Sequence, residues 1–552
     1  MGGRRMRWPL VLALVGALLV GALLVYLGYT VSTEEVPAVG GTYIEGLAGS
    51  PRAINPLYAD LYSVDRDIGA LVFNGLTRIN ERGEIVPDLA VRWEVSPDAR
   101  QYTFYLRSEV HWHDGAPFGA DDVVFTAGVI HTPAFDGSPY LIQAWQDVQV
   151  EKVDALTVRF TLKEPFAPFL EQTTLGIIPK HLFRDTPVGD LDQAAFNTRP
   201  VGTGPYKVKE VAADHILLEA YEGYHGAHPY ISKVEFRFYP DYDSVLAAYR
   251  RGEVMGVSRI AIKDLPQART LENLRVYTTR LSGYRIIYLN LRDPIFQDPL
   301  VRRALLYALD RQKIVDEVLS GQAIVAHSPI MPNSWAYDPT IRQYHYDPAQ
   351  ARELLTRAGW VDSDGDGIRD RGGEKFEFTL ATNDDPQRAA IIAEVSRQWA
   401  QVGLRVHTET PGWVELVSDY LIPRRFDAVL TAWEQMPVDP DAYPWWHSTQ
   451  ITGTGQNYAS WVNRDASEAL EQARLTPDRE KRLALYQQFQ AIFADQVPAI
   501  LLFYPLYHYG VDKEVRNVYI SPLIEPADRF RHIADWYINT RRITIREQST
   551  VR

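Results

Sequence analysis

The sequence predicts an α/β fold divided into several domains, and three observations support this prediction. The chain has 552 residues, which is more than one hydrophobic core usually holds. Hydrophobic residues make up 46% and charged residues 23% of the chain, the balance of an ordinary globular protein. Predicted strands and helices alternate, and the order helix, glycine, strand is repeated in the second half. We therefore expect two or three α/β domains.

The N-terminus is predicted to be a membrane anchor. Arg4, Arg5 and Arg7 precede an apolar run over residues 9–29. Residues 10–28 are long enough to cross a hydrocarbon core at about 1.5 Å per residue, whereas the apolar part of a cleaved signal usually has about 7–15 residues. The pattern favours an uncleaved transmembrane helix over a cleaved signal, with the arginines inside. Residues 1–40 would form this anchor and a short tether.

The first half of the external chain is predicted to be rich in strands. Residues 41–45 form a first strand, and residues 102–107 and 156–162 alternate apolar with polar side chains, as half-exposed strands do. An acidic pair starting at Asp121 opens a helix, where carboxylates favour the helix dipole. The glycine-rich stretch 201–208 enters another strand and lacks the Gly-Lys-Ser/Thr ending of a phosphate-binding loop.

The second half has clear helix boundaries. Asp298-Pro299 and Asp347-Pro348 each place a capping aspartate before a proline in the first helical turn. A third helix is predicted over residues 388–402 and ends at Gly403. Residues 404–407 form the strand that follows.

Charge and residue content exclude several functions. The net charge is −13 and no run of Lys or Arg follows the N-terminus, so nucleic acid is not an expected partner. The chain contains no cysteine, which excludes disulfides, thiolate metal sites and a cysteine nucleophile. The sequence has no serine-hydrolase elbow, zinc-protease motif or Walker loop, so we do not expect an enzyme.

The segment between residues 93 and 126 carries a specific resemblance to a known family. It contains a turn, a strand, a second turn and a helix start in fixed order. The four stretches are residues 93–98, 101–107, 112–118 and 120–126. Their order and their amino-acid sequences resemble those of the family 5 extracellular solute-binding proteins, which deliver peptides and other solutes to ABC importers. Residues 298–310 are similar to the same family, and the resemblance extends over residues 41–537.

The resemblance implies a two-lobed periplasmic-binding-protein-like fold of type II with an additional inserted domain. The expected parts are lobe I (residues 41–85, 200–283 and 500–545), inserted domain II (86–199) and lobe III (284–499). The chain would cross between the lobes near Ser282-Gly283 and near residues 498–504. A glycine at the first crossing is consistent with a hinge.

The resemblance also implies a function. A receptor of this kind captures a solute in the cleft between the lobes and delivers it to the permease and ATPase of an ABC transporter, without a required cofactor. The same cleft coupled to a sensor would instead serve signalling, and this alternative stays open. Many such receptors are tethered through a lipid-modified cysteine. This chain has none, so its N-terminal helix is expected to hold it at the extracytoplasmic face of the membrane, in the periplasm or at the cell surface.

Residues 427–433, followed by the turn-rich segment 436–448, are similar to the ligand-lining strand and loop of the family. Aromatic side chains here offer flat apolar surface with a polar edge, which suits peptide side chains and equally sugar rings. Trp445 and Trp446 are as consistent with core positions as with lining ones. The expected ligand-binding residues are Trp433, Glu434, Met436, Asp439, Tyr443, Trp445, Tyr284 and Glu45.

The position of Met436 bears on the identity of the solute. Peptide-binding relatives commonly carry an aspartate here, three residues after the tryptophan, which pairs with the peptide α-amino group. Burying an ammonium without a partner is costly, so Glu434 or Asp439 would have to replace that aspartate. An oligopeptide is the leading interpretation. The runner-up is an oligosaccharide stacked on Trp433 or on a neighbouring tryptophan.

One acidic loop predicts a metal site independently of the resemblance. Four carboxylates lie at positions 1, 3, 5 and 9 of a loop with glycine at position 6, a spacing that suits calcium. Position 12 is Gly373 and departs from the calcium-loop pattern, so a solvated acidic turn is the alternative. The expected ligands of a structural Ca²⁺ are Asp362, Asp364, Asp366, Ile368 and Asp370.

Overall fold

A computed structural model describes residues 7–59, 62–453 and 455–544. The strands are β1 (Thr33–Pro37), β2 (Thr42–Ala48), β3 (Thr77–Ile79), β4 (Ile85–Pro87), β5 (Ala90–Val95), β6 (Gln101–Leu106), β7 (Val148–Asp154), β8 (Thr157–Leu162), β9 (Tyr206–Val211), β10 (His215–Ala220), β11 (Lys233–Tyr239), β12 (Gly256–Val257), β13 (Leu274–Arg280), β14 (Gly283–Leu289), β15 (Ala323–Val325), β16 (Asp370–Arg371), β17 (Glu374–Lys375), β18 (Glu377–Ala381), β19 (Arg405–Glu409), β20 (Ala428–Glu434), β21 (Ala499–Asp512) and β22 (Thr540–Thr544).

The helices follow the same chain order. They are α1 (Arg7–Ser32), α2 (Ser63–Val72), α3 (Ala120–His131), α4 (Pro139–Trp145), α5 (Phe169–Gln172), α6 (Tyr242–Arg250), α7 (Leu265–Ala268), α8 (Pro299–Tyr307), α9 (Arg311–Lys313), α10 (Pro348–Arg357), α11 (Pro386–Ala400), α12 (Trp413–Glu415), α13 (Tyr443–Trp446), α14 (Arg464–Leu475) and α15 (Arg479–Gln496).

Local sequence signals are confirmed at several helix starts. The carboxylates of Asp298 and Asp347 accept hydrogen bonds from the backbone N–H groups of Leu300 and Gln350, and proline follows each aspartate. The third predicted helix starts two residues earlier than expected, at Pro386, because Asp385 caps it. The sequence therefore encodes these boundaries locally.

One twelve-stranded sheet runs through the residue ranges expected for lobe I and lobe III, and these ranges keep the two names. Its main path is β19-β18-β20-β14-β21-β12-β2-β11-β10-β9, and β13 and β15 pair with β21. The long strand β21 pairs with β14 through Ala499–Phe503 and with β13 through Leu506–Asp512. Lobe I and lobe III are consequently joined through a common strand.

The junction between β13 and β14 explains the glycine at position 283. Gly283 has φ +141°, and a Cβ atom there would lie 2.3 Å from the carbonyl oxygen of Trp433. Only glycine fits this combination of backbone angle and close approach. The preceding Ser282 donates its hydroxyl to the carbonyl oxygen of Met436 at 2.9 Å. The junction is thus fastened directly to the segment that follows β20.

The inserted domain contains a separate four-stranded sheet, β5-β6-β8-β7. Its buried residues, such as Phe104 and Phe160, belong to one hydrophobic cluster with Tyr43 and Phe236 of lobe I. Lobe III has two clusters of its own, one containing Ile287 and the other Tyr284. Adjacent residues of β14 thus face different clusters, since successive side chains of a strand point to opposite faces.

The N-terminal residues Arg7–Ser32 form helix α1, and β1 then pairs antiparallel with β22 near the other end of the chain. Among the described residues, no helix is both long enough and apolar enough to cross a membrane. The predicted transmembrane helix is therefore not supported by the structure. Arg4 and Arg5, which belong to that prediction, lie outside the described residues.

Candidate functional site

The second half of β20 presents an edge that β18 does not cover. Strand β18 pairs with β20 only at Ala428 and Val429, and the hydroxyl of Thr382 donates to the carbonyl oxygen of Leu430 at 3.0 Å. On the other side, β14 pairs with β20 as far as Glu434. In an antiparallel pair, alternate residues direct their N–H and C=O groups outward. Ala432 and Glu434 are such residues, because Gln435 N–H bonds back toward β14, to the Ser282 carbonyl oxygen.

Aromatic side chains pack around Trp433, on the face of β20 that lies opposite the side chains of Ala432 and Glu434. The indole N–H of Trp433 donates to the Tyr288 hydroxyl at 2.6 Å, and the ring is stacked on Tyr458 with centroids 6.1 Å apart. Trp445 lies 5.5 Å from Trp433, and both remain half-buried. Trp446 is 1% exposed and packs edge-on against Phe493. Trp446 is therefore a core residue, while Trp433 and Trp445 keep some accessible surface.

Two predicted lining residues lie in the protein core. Tyr284 is fully buried beside Ile286 and Tyr288. Glu45 is also fully buried, in a network in which Arg529 joins its carboxylate at 3.1 Å to that of Asp67 at 2.6 Å. Burial raises the pKa of Glu45, and the Arg529 guanidinium opposes that shift. These positions argue against direct solute contact, and Glu45 shares the buried face of β2 with Tyr43 and Leu47.

The two acidic candidates differ in availability. Asp439 pairs with Arg482 at 2.5 Å, and burial raises the pKa of Asp439 while Arg482 lowers it. Glu434 pairs with Arg285 at 3.0 Å, yet its side chain stays 55% exposed. Glu434 therefore remains reachable for a solute, whereas Asp439 is committed to stabilising lobe III.

Met436 lines a cavity to which both lobes contribute. The cavity measures about 380 Å³ including its open mouth. Asn80 and Gly83 lie on the lobe I side, and Met331 and Asn333 on the lobe III side. Met436 itself is only 6% exposed. The apolar side chain thus occupies the interlobe position that the resemblance assigns to an acidic group.

A cationic group that the sequence reading missed lies beside the uncovered edge. Arg285 is on β14, opposite Ala432, and its buried Nη1 atom has no hydrogen-bond partner among the described residues. Burial lowers the pKa of Arg285, and Glu434 opposes this. Arg388 donates to the side chain of Asn383, just past the end of β18, at 2.8 Å. Because successive side chains of β14 alternate, the side chain of Arg285 lies on the face opposite the buried Tyr284, the face that carries Ala432. The strand pattern could therefore have identified Arg285 as a candidate.

A contact between the inserted domain and lobe III was also missed. The carboxylate of Glu171, on α5, accepts hydrogen bonds from the backbone N–H groups of Val438 at 2.8 Å and Asp439 at 2.9 Å. The N–H of Ala167 donates to the carbonyl oxygen of Arg474 at 2.8 Å. Burial raises the pKa of Glu171 to about 7, against the lowering effect of the two N–H donors. No local pattern predicts this contact, because its partners are separated by more than 260 residues.

Tyr443 begins helix α13 and remains half-buried. Its ring is stacked on His447 with centroids 4.0 Å apart, and the Arg474 guanidinium lies 4.1 Å from its centre. Arg474 also pairs with Asp441 at 2.8 Å. Tyr443 therefore belongs to the packed boundary between lobe III and the inserted domain.

The acidic loop brings three of its predicted ligands together. Single carboxylate oxygens of Asp362, Asp364 and Asp370 lie within 4.8 Å of one another. The Lys375 ammonium lies 2.7 Å from Asp364 and 3.0 Å from Asp366, so it offsets part of the negative charge. Ile368 donates its N–H to the Asp366 carboxylate at 2.9 Å. The predicted calcium ligands thus form a compact turn with an ammonium as counter-ion.

Two α/β lobes that share one sheet and border a common cavity define the class of bilobed solute-binding proteins. The sequence profile described as bacterial extracellular solute-binding proteins, family 5 Middle, matches residues 84–454, more than half of the chain. The chain belongs to this family. It is accordingly an extracytoplasmic solute receptor of the ABC-transporter type and not an enzyme.

Known relatives match over nearly their full length. The oligopeptide-binding protein AppA of Bacillus subtilis is 32% identical over 497 residues, which cover 88% of this chain and 90% of the relative. The dipeptide-binding protein of Escherichia coli is 28% identical, and the match covers 91% of this chain and 96% of the relative. The structure of AppA with a nonapeptide matches with TM-score 0.70 and 31% identity, over 91% of this chain and all of the other. The structure of NikZ of Campylobacter jejuni in complex with Ni(L-His) matches with TM-score 0.72 and 27% identity. The match covers 90% of this chain and 99% of NikZ.

Proposed function

We propose that this receptor captures oligopeptides between lobes I and III and delivers them to an ABC permease. The observation that carries the proposal is the uncovered edge of β20 at Ala432 and Glu434. An extended peptide can add to such an edge through main-chain hydrogen bonds, with affinity that depends little on sequence. The relatives named for oligopeptides and dipeptides support the same solute class.

Charged groups at this edge fit the termini of a peptide. Glu434 is the acidic side chain that can meet an α-amino group, because Asp439 is already paired with Arg482. The aromatic pair Trp433 and Trp445 offers half-buried surface for side chains. A peptide should therefore bind less tightly when it is N-acetylated or when Glu434 is replaced by Gln.

Calorimetry against two solute pools tests the proposal. We expect heat from a pool of random nonapeptides and none from short β-linked glucans. Trp433→Ala should weaken peptide binding moderately, because one of several contact surfaces is lost, whereas a sugar stacked on this ring would lose most of its affinity. Tyr346→Ala, at an exposed residue of lobe III away from β20, serves as the control. Heat from glucans alone would overturn the peptide assignment and leave the receptor assignment intact.

The division into lobe I, inserted domain II and lobe III with the ranges given above is part of the same proposal. The common strand β21 and the Gly283 junction support two crossings between the lobes. Small-angle scattering with and without a bound peptide pool should give a smaller radius of gyration in the bound state. Identical curves at saturation would contradict closure about these crossings.

We also propose that the N-terminal segment attaches the receptor to the membrane. The support is the apolar run of residues 10–28 and the lack of any cysteine for lipid attachment. N-terminal sequencing of the native protein tests this proposal. A mature chain that begins between residues 32 and 41 would show cleavage and contradict it.

Finally, we propose that the loop of residues 362–370 binds a structural calcium ion. Its three neighbouring carboxylates support this, with Lys375 as the competing cation. A ligand that binds only the folded state raises the melting temperature, so melting should rise with calcium and fall with chelator. Asp364→Ala should abolish the difference, and Lys375→Met should enlarge it. A melting temperature that does not change with calcium in either the wild type or Lys375→Met would contradict the site.

A further inference from the structure

The contact made by Glu171 joins the inserted domain to lobe III across the cleft. Helix α5 of the inserted domain places this carboxylate against the loop that follows β20. One carboxylate oxygen accepts the N–H of Val438 and the other accepts the N–H of Asp439. The loop is the segment that carries Met436 into the interlobe cavity. Glu171 therefore holds the cavity wall in place from the opposite side of the cleft.

The surroundings of Glu171 disfavour a negative charge. Burial is the largest cause that raises its pKa, and the charges of Asp439 and Asp441 add to it. Each of these two aspartates is itself paired, Asp439 with Arg482 and Asp441 with Arg474. No cation pairs with Glu171 itself among the described residues, so the contact is made by a carboxyl group that lacks a charged partner.

We propose that Glu171 is a positioning residue for solute capture, which fixes the cavity-lining loop on closure and takes up a proton as the lobes close. The inference rests on the proposed closure of the lobes, and only its binding readout depends on the peptide assignment. Its closure readout needs no solute. The contact also restrains Asp439 next to Arg482, so a change at Glu171 acts on the loop and not on the solute directly.

The direction of the pH effect follows from the two states. In the contact with the loop, burial raises the pKa of Glu171 to about 7, and in an opened molecule that exposes the carboxyl group to water the pKa would be the ordinary 4.5. A group whose pKa is higher in the closed state stabilises that state. The stabilisation is complete below pH 4.5 and is lost as the pH rises through 7. Between pH 6 and 8, these values lower the ratio of closed to open molecules by roughly tenfold.

Distance measurement between two spin labels tests closure directly. The chain has no native cysteine, so Lys163→Cys in the inserted domain and Glu468→Cys on α14 give a single labelled pair at exposed positions. We expect a short distance to dominate at pH 6 and a longer one to gain population at pH 8. Glu171→Gln removes the titrating group but keeps only one of the two oxygen acceptors, so it should abolish this dependence and also weaken the contact. An equal pH response in Glu171→Gln would overturn the proposal.

Binding of the random nonapeptide pool gives the second readout. Wild-type affinity should fall several-fold, up to about tenfold, from pH 6 to pH 8. Glu171→Gln should show a flat profile, and Glu171→Ala should bind more weakly at every pH because the loop contact is lost. Glu164→Gln, at an exposed position of the same domain, should keep the wild-type profile. If no peptide binds but closure still responds to pH through Glu171, the peptide assignment fails and this inference stands.

Discussion

At the scale of single residues, the buried network around Arg529 joins distant segments of lobe I. Its guanidinium is 0% exposed and joins the carboxylates of Glu45 and Asp67, while Tyr509 donates to Glu45 at 3.0 Å. Removing one partner of a buried ion pair leaves an uncompensated charge. These side chains come from distant parts of the sequence, and no spacing rule links them.

We predict that Arg529→Met lowers the free energy of unfolding by about 3–5 kcal/mol, because Glu45 and Asp67 lose their shared cation. Denaturant unfolding monitored by circular dichroism measures the change. Arg397→Met serves as the control, since Arg397 pairs with Glu394 at the surface and its loss should change stability little. Equal effects of the two substitutions would contradict the role of the buried network.

A second prediction at this scale concerns Gly283. Gly283→Ala should lower the free energy of unfolding by about 1–3 kcal/mol, since the new Cβ would meet the Trp433 carbonyl oxygen at 2.3 Å in an unfavourable backbone conformation. Gly252→Ala is the matched control, because Gly252 also has a positive φ of 73° but open space around it. Thermal unfolding of both variants separates the close contact from the backbone angle. A Gly283→Ala protein as stable as Gly252→Ala would contradict the clash.

At the scale of elements, the sequence predicted what is encoded locally. The caps of α8 and α10 and the half-exposed strand β8 appear where capping and alternation signals placed them, and β20 appears where the resemblance placed it. Glu45 was expected in the cleft only from its position on the first strand, whereas alternation places it on the same face as the buried Tyr43 and Leu47. Local signals did not reveal the pairing of Glu171 with the loop after β20, which only the assembled domains create. The resemblance supplied the lobes, and the residues of the site depended on packing.

The uncovered edge of β20 leads to a prediction for this element. Ala432→Pro removes one outward N–H without removing a bond to β14, and proline is tolerated at strand edges. A lost peptide hydrogen bond is worth about 0.5–1.5 kcal/mol, so peptide affinity should fall roughly threefold to tenfold while the fold remains. Calorimetry with the nonapeptide pool and circular dichroism measure the two effects. Unchanged affinity in a folded variant would contradict strand addition at this edge.

At the scale of the whole molecule, contacts bridge the two sides of the cleft. Bonds across the cleft run from the inserted domain to the loop after β20 and to Arg474, and a cavity remains between Asn80 and Met331. The inserted domain thus contacts lobe III at the rim of the cleft, while a cavity remains in the interior. The inserted domain shares its hydrophobic cluster with lobe I, so we expect these two parts to move as one body against lobe III.

The common strand β21 has a consequence for how the protein melts. Its fourteen residues form continuous backbone in both lobes, so neither lobe can unravel without breaking the ladder of the other. We predict one calorimetric transition whose van't Hoff enthalpy approaches the measured enthalpy, as in a single cooperative unit. Substituting Pro505, between the two pairing segments, by Gly should loosen that coupling and broaden the transition. Two resolved transitions in the wild-type protein would show that the lobes are thermodynamically separate despite their common strand.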